Sequence, residues 1–82
     1  MTETAVPTPT LIIDARGSYC PGPLMELIRA VREAAVGDVV AVWSSDRGSL
    51  TDIPKWVEKA GHRLIGVFPD HGFAQILVEK AR

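Results

Sequence analysis

The chain carries a single cysteine, Cys20, so it can close no internal disulfide and holds no resolving partner for dithiol chemistry. A lone free thiol suits a reducing compartment. Nine lysines and arginines stand against ten aspartates and glutamates, a formal net charge of -1. Without an excess of cations to displace counterions, nucleic-acid binding is disfavoured. Aromatics make up only 6% of the residues, too few to supply a stacking platform on an open sheet as well as a core. The two histidines, His62 and His71, do not combine with the one cysteine in any recognised metal-ligand spacing. No apolar run approaches the ~20 residues that cross a bilayer. Ahead of Leu11, Glu3 stands where a signal peptide would be positive, and no apolar stretch follows it. The expected location is cytoplasmic, with no membrane insertion, no direct nucleic-acid contact, no metal and no organic cofactor.

What is present fits one small domain. Eighty-two residues with 46% hydrophobic and 23% charged composition build a single core and no second one. Residues 1–10, rich in Thr and Pro, read as a disordered leader, and 11–82 as the folded unit. A core this small leaves little room for an enclosed pocket, so chemistry is expected at the surface.

Leu11 to Ala15 is a short apolar strand candidate leading into the loop Arg16-Gly17. From Leu24 the period changes: Leu24, Leu27, Ile28, Val31 and Ala35 recur at helical spacing, with Glu26, Arg29, Arg32 and Glu33 on the other face. Proline is tolerated in a first turn, so Pro21 and Pro23 mark the helix start and place Cys20 at or near its N-cap. Gly37-Asp38 ends the helix, and Val39 to Trp43 follows as a nearly continuous β-prone run, the pattern of a well-covered strand. A right-handed crossover makes these two strands parallel, so the loops carrying Cys20 and Asp46 are expected to be neighbours. Ile53, Trp56, Val57 and Ala60 predict a second helix, with Pro54 in its first turn and Gly61 just past its end. Arg63 to Phe68 and Phe73 to Val78, separated by Pro69-Asp70-His71-Gly72, read as an antiparallel hairpin. The order β-α-β-α-β-β predicts an α/β two-layer sandwich, a four-stranded mixed sheet with both helices on one face.

The chemistry centres on Ser18-Tyr19-Cys20-Pro21-Gly22-Pro23-Leu24. A thiol becomes reactive where its thiolate is stabilised, here by a helix N-terminus and by cations on adjacent loops, for which Arg16 and Arg47 are the candidates. Pro21 and Pro23 stiffen the approach to the helix, and Gly22 keeps it uncluttered. A cysteine hydrolase needs a histidine base, yet His62 and His71 fall at opposite ends of the third strand run. With no second thiol to attack it, a sulfane sulfur carried on Cys20 as a persulfide would survive until another protein's cysteine takes it.

The combination of Asp14-x-Arg16-Gly17-x-x-Cys20-Pro21-x-Pro23, a strand ending near Asp46, and Asp52-Ile53-Pro54-x-Trp56-x-x-x-x-Gly61-His62 resembles the small TusA/SirA-like sulfur carrier proteins. The likeness runs from Ile13 to about Arg82. It implies the same two-layer fold, with Cys20 accepting sulfane sulfur and Pro21 and Pro23 shaping its loop. It also implies a donor of the cysteine desulfurase or rhodanese-like kind and an acceptor protein with a reactive cysteine. Asp46 matches an acidic position after the second strand of the family. Two departures stand out: Glu26 and Glu33 interrupt the first helix where relatives serving tRNA thiolation are more basic, and Arg47-Gly48 follows Asp46 where Asp-Pro is common.

The remaining residues weigh less. Arg29 and Arg32 could dock an acidic partner, although their spacing from Glu26 and Glu33 also makes weak ion pairs on a solvated face. Trp43 and Trp56 read as core, and Met25 as packing beside the motif. Asp46 could steer partners, or raise the thiol pKa if it faces the sulfur. The expected role is a stoichiometric sulfur carrier, an enzyme only in the loose sense. The alternative is a non-catalytic interaction or regulatory module in which Cys20 is structural.

Overall fold

The computed structural model describes residues 8–19 and 22–82; Cys20 and Pro21 lie outside this range, as do residues 1–7 of the expected leader. The described elements are β1 (Leu11–Asp14), α1 (Gly22–Glu33), β2 (Val39–Ser44), α2 (Arg47–Ala60), β3 (Arg63–Pro69) and β4 (Ala74–Glu79). They form the expected four-stranded mixed sheet, in the spatial order β1-β2-β4-β3. β1 runs parallel to β2, and β4 is antiparallel to both of its neighbours. Thr10 is already tied to the sheet, its N–H donating to the Val39 carbonyl and its hydroxyl accepting from the Val39 N–H.

Alternation along the strands divides the apolar residues between two faces. Val40 and Val42 of β2 pair with Val78 and Ile76 of β4, and these four face Leu27 and Val31 of α1 and Ile53 and Val57 of α2 in one core. Both helices therefore cover the same face. Val39, Ala41 and Leu77 form a smaller cluster on the other face, where Ile65 and Phe68 of β3 pack over them in place of a helix. No helix among the described residues is long and apolar enough to cross a membrane.

The end of α2 matches the expectation at Gly61. Its φ of 83° lies in the left-handed region that glycine enters without steric cost, and its N–H bonds the Glu58 carbonyl while the His62 N–H reaches Val57. α1 ends sooner than its apolar period, at Glu33. There the Lys80 ammonium donates to the Ala34 carbonyl at 2.7 Å and to the Arg32 carbonyl at 3.4 Å, satisfying acceptors that the helix leaves open.

The start of α2 corrects the expectation for Pro54. The helix begins at Arg47, so Pro54 lies well inside it, not in its first turn. The physical reason is an N-cap at Asp46, whose carboxylate accepts from both the N–H and the hydroxyl of Ser49. A proline inside a helix costs roughly 3 kcal/mol, because it has no N–H for the carbonyl four residues back, here that of Leu50. Ile53 and Val57 are buried to 0% and 1% exposure, and each contributes about 1.5–3 kcal/mol, enough to hold both halves on the core.

Pro54→Ala is accordingly expected to stabilise the protein by about 1–2 kcal/mol, once the lost stiffening of the unfolded chain is subtracted. Urea unfolding would read this as a higher midpoint at unchanged slope. A lower midpoint would mean that packing of the proline ring outweighs the missing hydrogen bond.

Candidate functional site

The parallel pairing of β1 and β2 sends the loops after both strands to one edge of the sheet, and the β3–β4 turn reaches the same edge because Ala74 pairs with Ser44. The two loops meet as expected: the Gly17 N–H donates to Ser45 Oγ at 3.0 Å, and the Ala15 N–H to the Trp43 carbonyl at 2.9 Å. Between them the chain makes a tight turn, closed by the Ser18 N–H on the Ala15 carbonyl at 3.1 Å. Gly17 occupies the third position of that turn with φ 87°, which favours glycine. Its N–H and its conformation thus both hold the loop that leads to Cys20.

Arg16 does something other than was expected of it. Its Nε and Nη2 grip the two oxygens of Asp14 at 2.8 and 2.7 Å, while its backbone N–H adds a third bond to the same carboxylate. Its guanidinium also lies over the rings of Trp43 and Phe73, 4.9 and 5.1 Å from their centroids. These two rings are themselves 5.7 Å apart, and the Trp43 indole N–H donates to Gln75 Oε1 at 2.9 Å. The pair Asp14–Arg16 is neutral as a unit and belongs to the helix-free face of the sheet. Arg16 braces the loop through ring stacking, and its charge is already matched by Asp14. The hydrogen bonds from Arg16 hold the Asp14 pKa down at about 2.

Asp46 serves as the cap of α2, and its own N–H donates to Ser44 Oγ. Arg47 is exposed as the first residue of α2, and the ion pairs among the described residues do not include it. On the other side of the loop, the Gly22 N–H donates to the Tyr19 carbonyl at 2.7 Å where α1 begins. Pro23 is buried in the first turn, and that turn contains no acidic residue to offset the positive end of the helix. Tyr19 and Met25, at 79% and 58% exposure, stand out into solvent to either side of the motif. Arg29 and Arg32 are exposed further along α1, and with Leu11, Ile13 and Met25 they line an open groove between α1 and the edge strand β1. Among the described residues, no group of three or more His, Cys, Asp or Glu is placed to hold a metal ion.

Sequence reasoning missed Ser45, Ser49 and Phe73. Asp46 is a readable N-cap residue type, and taking it as the cap would have moved the start of α2 to Arg47. Ser45 and Phe73 carry no such signal, since their partners Gly17 and Arg16 lie far away in the chain.

Comparison with known proteins places this architecture. The family model described as Sulfurtransferase TusA matches residues 11–80. A provisionally named sulfur carrier protein of Archaeoglobus fulgidus is 51% identical over 72 residues, which is 88% of this chain and 99% of the relative. The sulfur carrier protein TusA of Pseudomonas putida is 40% identical over 65 residues, covering 79% of this chain and 81% of that one. The crystal structure of a SirA-like protein from Desulfitobacterium hafniense superposes with a TM-score of 0.77 at 24% identity, over 88% of this chain and 99% of the other, and so shares the fold.

The brace at Arg16 has a direct readout. Followed by carbon-detected NMR, the Asp14 carboxyl is expected to titrate near pH 2 and to move up toward 3.8 in Arg16→Gln. Because the folded value is depressed, the pair's contribution to stability is present above pH 4 or so and fades as the pH falls toward 2. An Asp14 midpoint that does not respond to the substitution would remove Arg16 as its partner.

Proposed function

The chain belongs to the TusA family of sulfur carriers, and on that premise we propose that Cys20 carries a sulfane sulfur as a persulfide between two proteins. The observation that carries the reading is the setting of the chain's one thiol. In the sequence it comes two residues before Gly22, where a helix begins whose first turn has no carboxylate. A helix N-terminus favours thiolate over thiol. With Arg16 matched by Asp14, the remaining candidate cation from the adjacent connection is Arg47, the first residue of α2.

Loading proceeds by attack of the Cys20 thiolate on the outer sulfur of a donor cysteine persulfide. A new sulfur–sulfur bond forms at Cys20, the donor's bond breaks, and the donor cysteine leaves as a thiolate. Delivery repeats the exchange with the acceptor's cysteine as attacking group, so no external oxidant or reductant is consumed. The donor is a cysteine desulfurase or a rhodanese-like protein and the acceptor a protein with a reactive cysteine. The relay ends in tRNA thiolation, cofactor biosynthesis or dissimilatory sulfur oxidation. The groove between α1 and β1, lined by Arg29 and Arg32 together with Glu26 and Glu33, supports docking of such partners, and Asp46 and Arg47 at the start of α2 are further candidates for partner contact. Residues 11–82 act as the carrier domain, in the cytoplasm, and the role is that of a stoichiometric intermediate.

Incubation with a persulfide donor is expected to add the mass of one sulfur atom, removed by reductant and absent from Cys20→Ser. A serine variant that still gains the mass would overturn the assignment. Cys20 should also alkylate faster than free cysteine at neutral pH, by roughly threefold for each unit its pKa falls toward neutrality, because the gain in thiolate fraction is partly offset by lower nucleophilicity. A rate no faster would make Cys20 a packing residue of a non-catalytic interaction module.

A further inference from the structure

At the far end of α1 from the cysteine motif, a cleft of about 400 Å³ opens between the two helices and the C-terminal segment. Its floor is Ile28, Val31 and Trp56, and its cationic residues are Arg32, Lys80 and Arg82, with His62 beside them. No aspartate or glutamate lines it. The two ion pairs among the described residues, Asp14–Arg16 and Arg63–Glu79, involve none of these cations. In a chain of net charge -1, three of nine lysines and arginines converging on one cleft is a local excess that the composition does not explain.

The cations are held there by the fold. Lys80 is fixed by its bonds to the last carbonyls of α1, so the partial negative charge of that helix end is already met and Arg32 and Arg82 remain for another partner. The C-terminal carbonyls Val57 and Glu58 of α2 are likewise satisfied by the backbone N–H groups of His62 and Gly61. Arg82 lies against Gly61: its Nη1 and Cδ come within 2.6 and 2.8 Å of where a Cβ would be. Any side chain there would displace it. His62 accepts from the Ala81 N–H through Nδ1 at 3.1 Å and packs against Trp56 with ring centroids 5.6 Å apart, which ties the C-terminal segment to the cleft wall. Burial first, and then the charges of Lys80 and Arg82, push the His62 pKa down, a sign that the positive field reaches across the site.

We propose that this cleft binds a tetrahedral oxyanion borne on an apolar or aromatic body, a phosphate monoester of nucleotide size, with Arg32 and Arg82 on the oxyanion, Lys80 adding its charge from its place on the α1 carbonyls, and Trp56, Ile28 and Val31 under the body. Guanidinium groups match the geometry of phosphate oxygens, and the apolar floor gives the rest of the ligand somewhere to lie. The site shares no residue with the cysteine motif and does not depend on the carrier reading.

The test uses the full chain with Cys20→Ser, so that sulfur chemistry plays no part. Inorganic phosphate, AMP and thiosulfate are titrated against nitrogen-15-labelled protein, with the Trp56 indole as reporter and the Trp43 indole, on the helix-free face, as control. AMP is expected to shift Trp56, His62 and the backbone of residues 80–82 saturably while leaving Trp43 unmoved, and to bind more tightly than phosphate or thiosulfate. Arg82→Ala and Arg32→Gln each remove one charge-assisted contact and should weaken AMP by about tenfold. Absence of saturable shifts up to ~10 mM AMP would overturn the site, as would binding indifferent to both arginine substitutions. Thiosulfate or phosphate binding as tightly as AMP would overturn the organic body of the ligand.

Discussion

Val39 to Val42 are buried on both sides of the sheet, so β2 can only be an interior strand, and the positions of the other elements follow from that requirement. Its helix-facing residues, Val40 and Val42, meet β4 and both helices, while Val39 and Ala41 meet Leu77 on the other side. β1 completes it on the remaining edge in parallel, which the α1 crossover permits. Parallel pairing turns two loops nearly thirty residues apart in sequence into neighbours, as the Gly17–Ser45 bond records. The edge that bears the candidate site is thus a by-product of how the most buried strand is satisfied.

Charge is distributed along the helices in a way that suits a carrier. At the edge where the loops after β1 and β2 meet, the formal charges are largely neutralised: Arg16 against Asp14, and Asp46 against the N-terminus of α2 and Ser49. What acts there is the positive end of α1, with Arg47 nearby. At the opposite end of α1, 12 residues or about 18 Å away, Lys80 meets the open carbonyls and Arg32 and Arg82 border the cationic cleft. The two ends present different chemistry on one small scaffold, with the apolar core between them.

Much of this was legible in the order of residues. The alternation and helical periods located every strand and both helices, Gly61 marked the end of α2, and the Pro69–Gly72 stretch marked the hairpin turn. These signals are local, because a period or a turn residue reflects its own neighbourhood. Pro54 misled for the same reason. Taken locally, a proline belongs in a first turn, but burial of Ile53 and Val57 and the cap at Asp46 outweighed that preference. Arg16 misled in the opposite direction. Its position beside the motif suggested a cation for the thiol, while the side chain is matched by Asp14 two residues back and by the rings of Trp43 in β2 and Phe73 in the β3–β4 turn.

By itself the sequence determined the element order, the two-layer class, the single thiol and its place before a helix, since each of these depends on residue type and spacing alone. Tertiary structure decided which charges are spent and which are available. Arg16, Arg47, Lys80 and Arg82 are alike as cations in the chain. They differ only because folding sets one against a carboxylate and two rings, leaves one at a helix start, places one on open carbonyls and lays one against Gly61. The pairing of a charge depends on distance in space, which sequence separation does not encode.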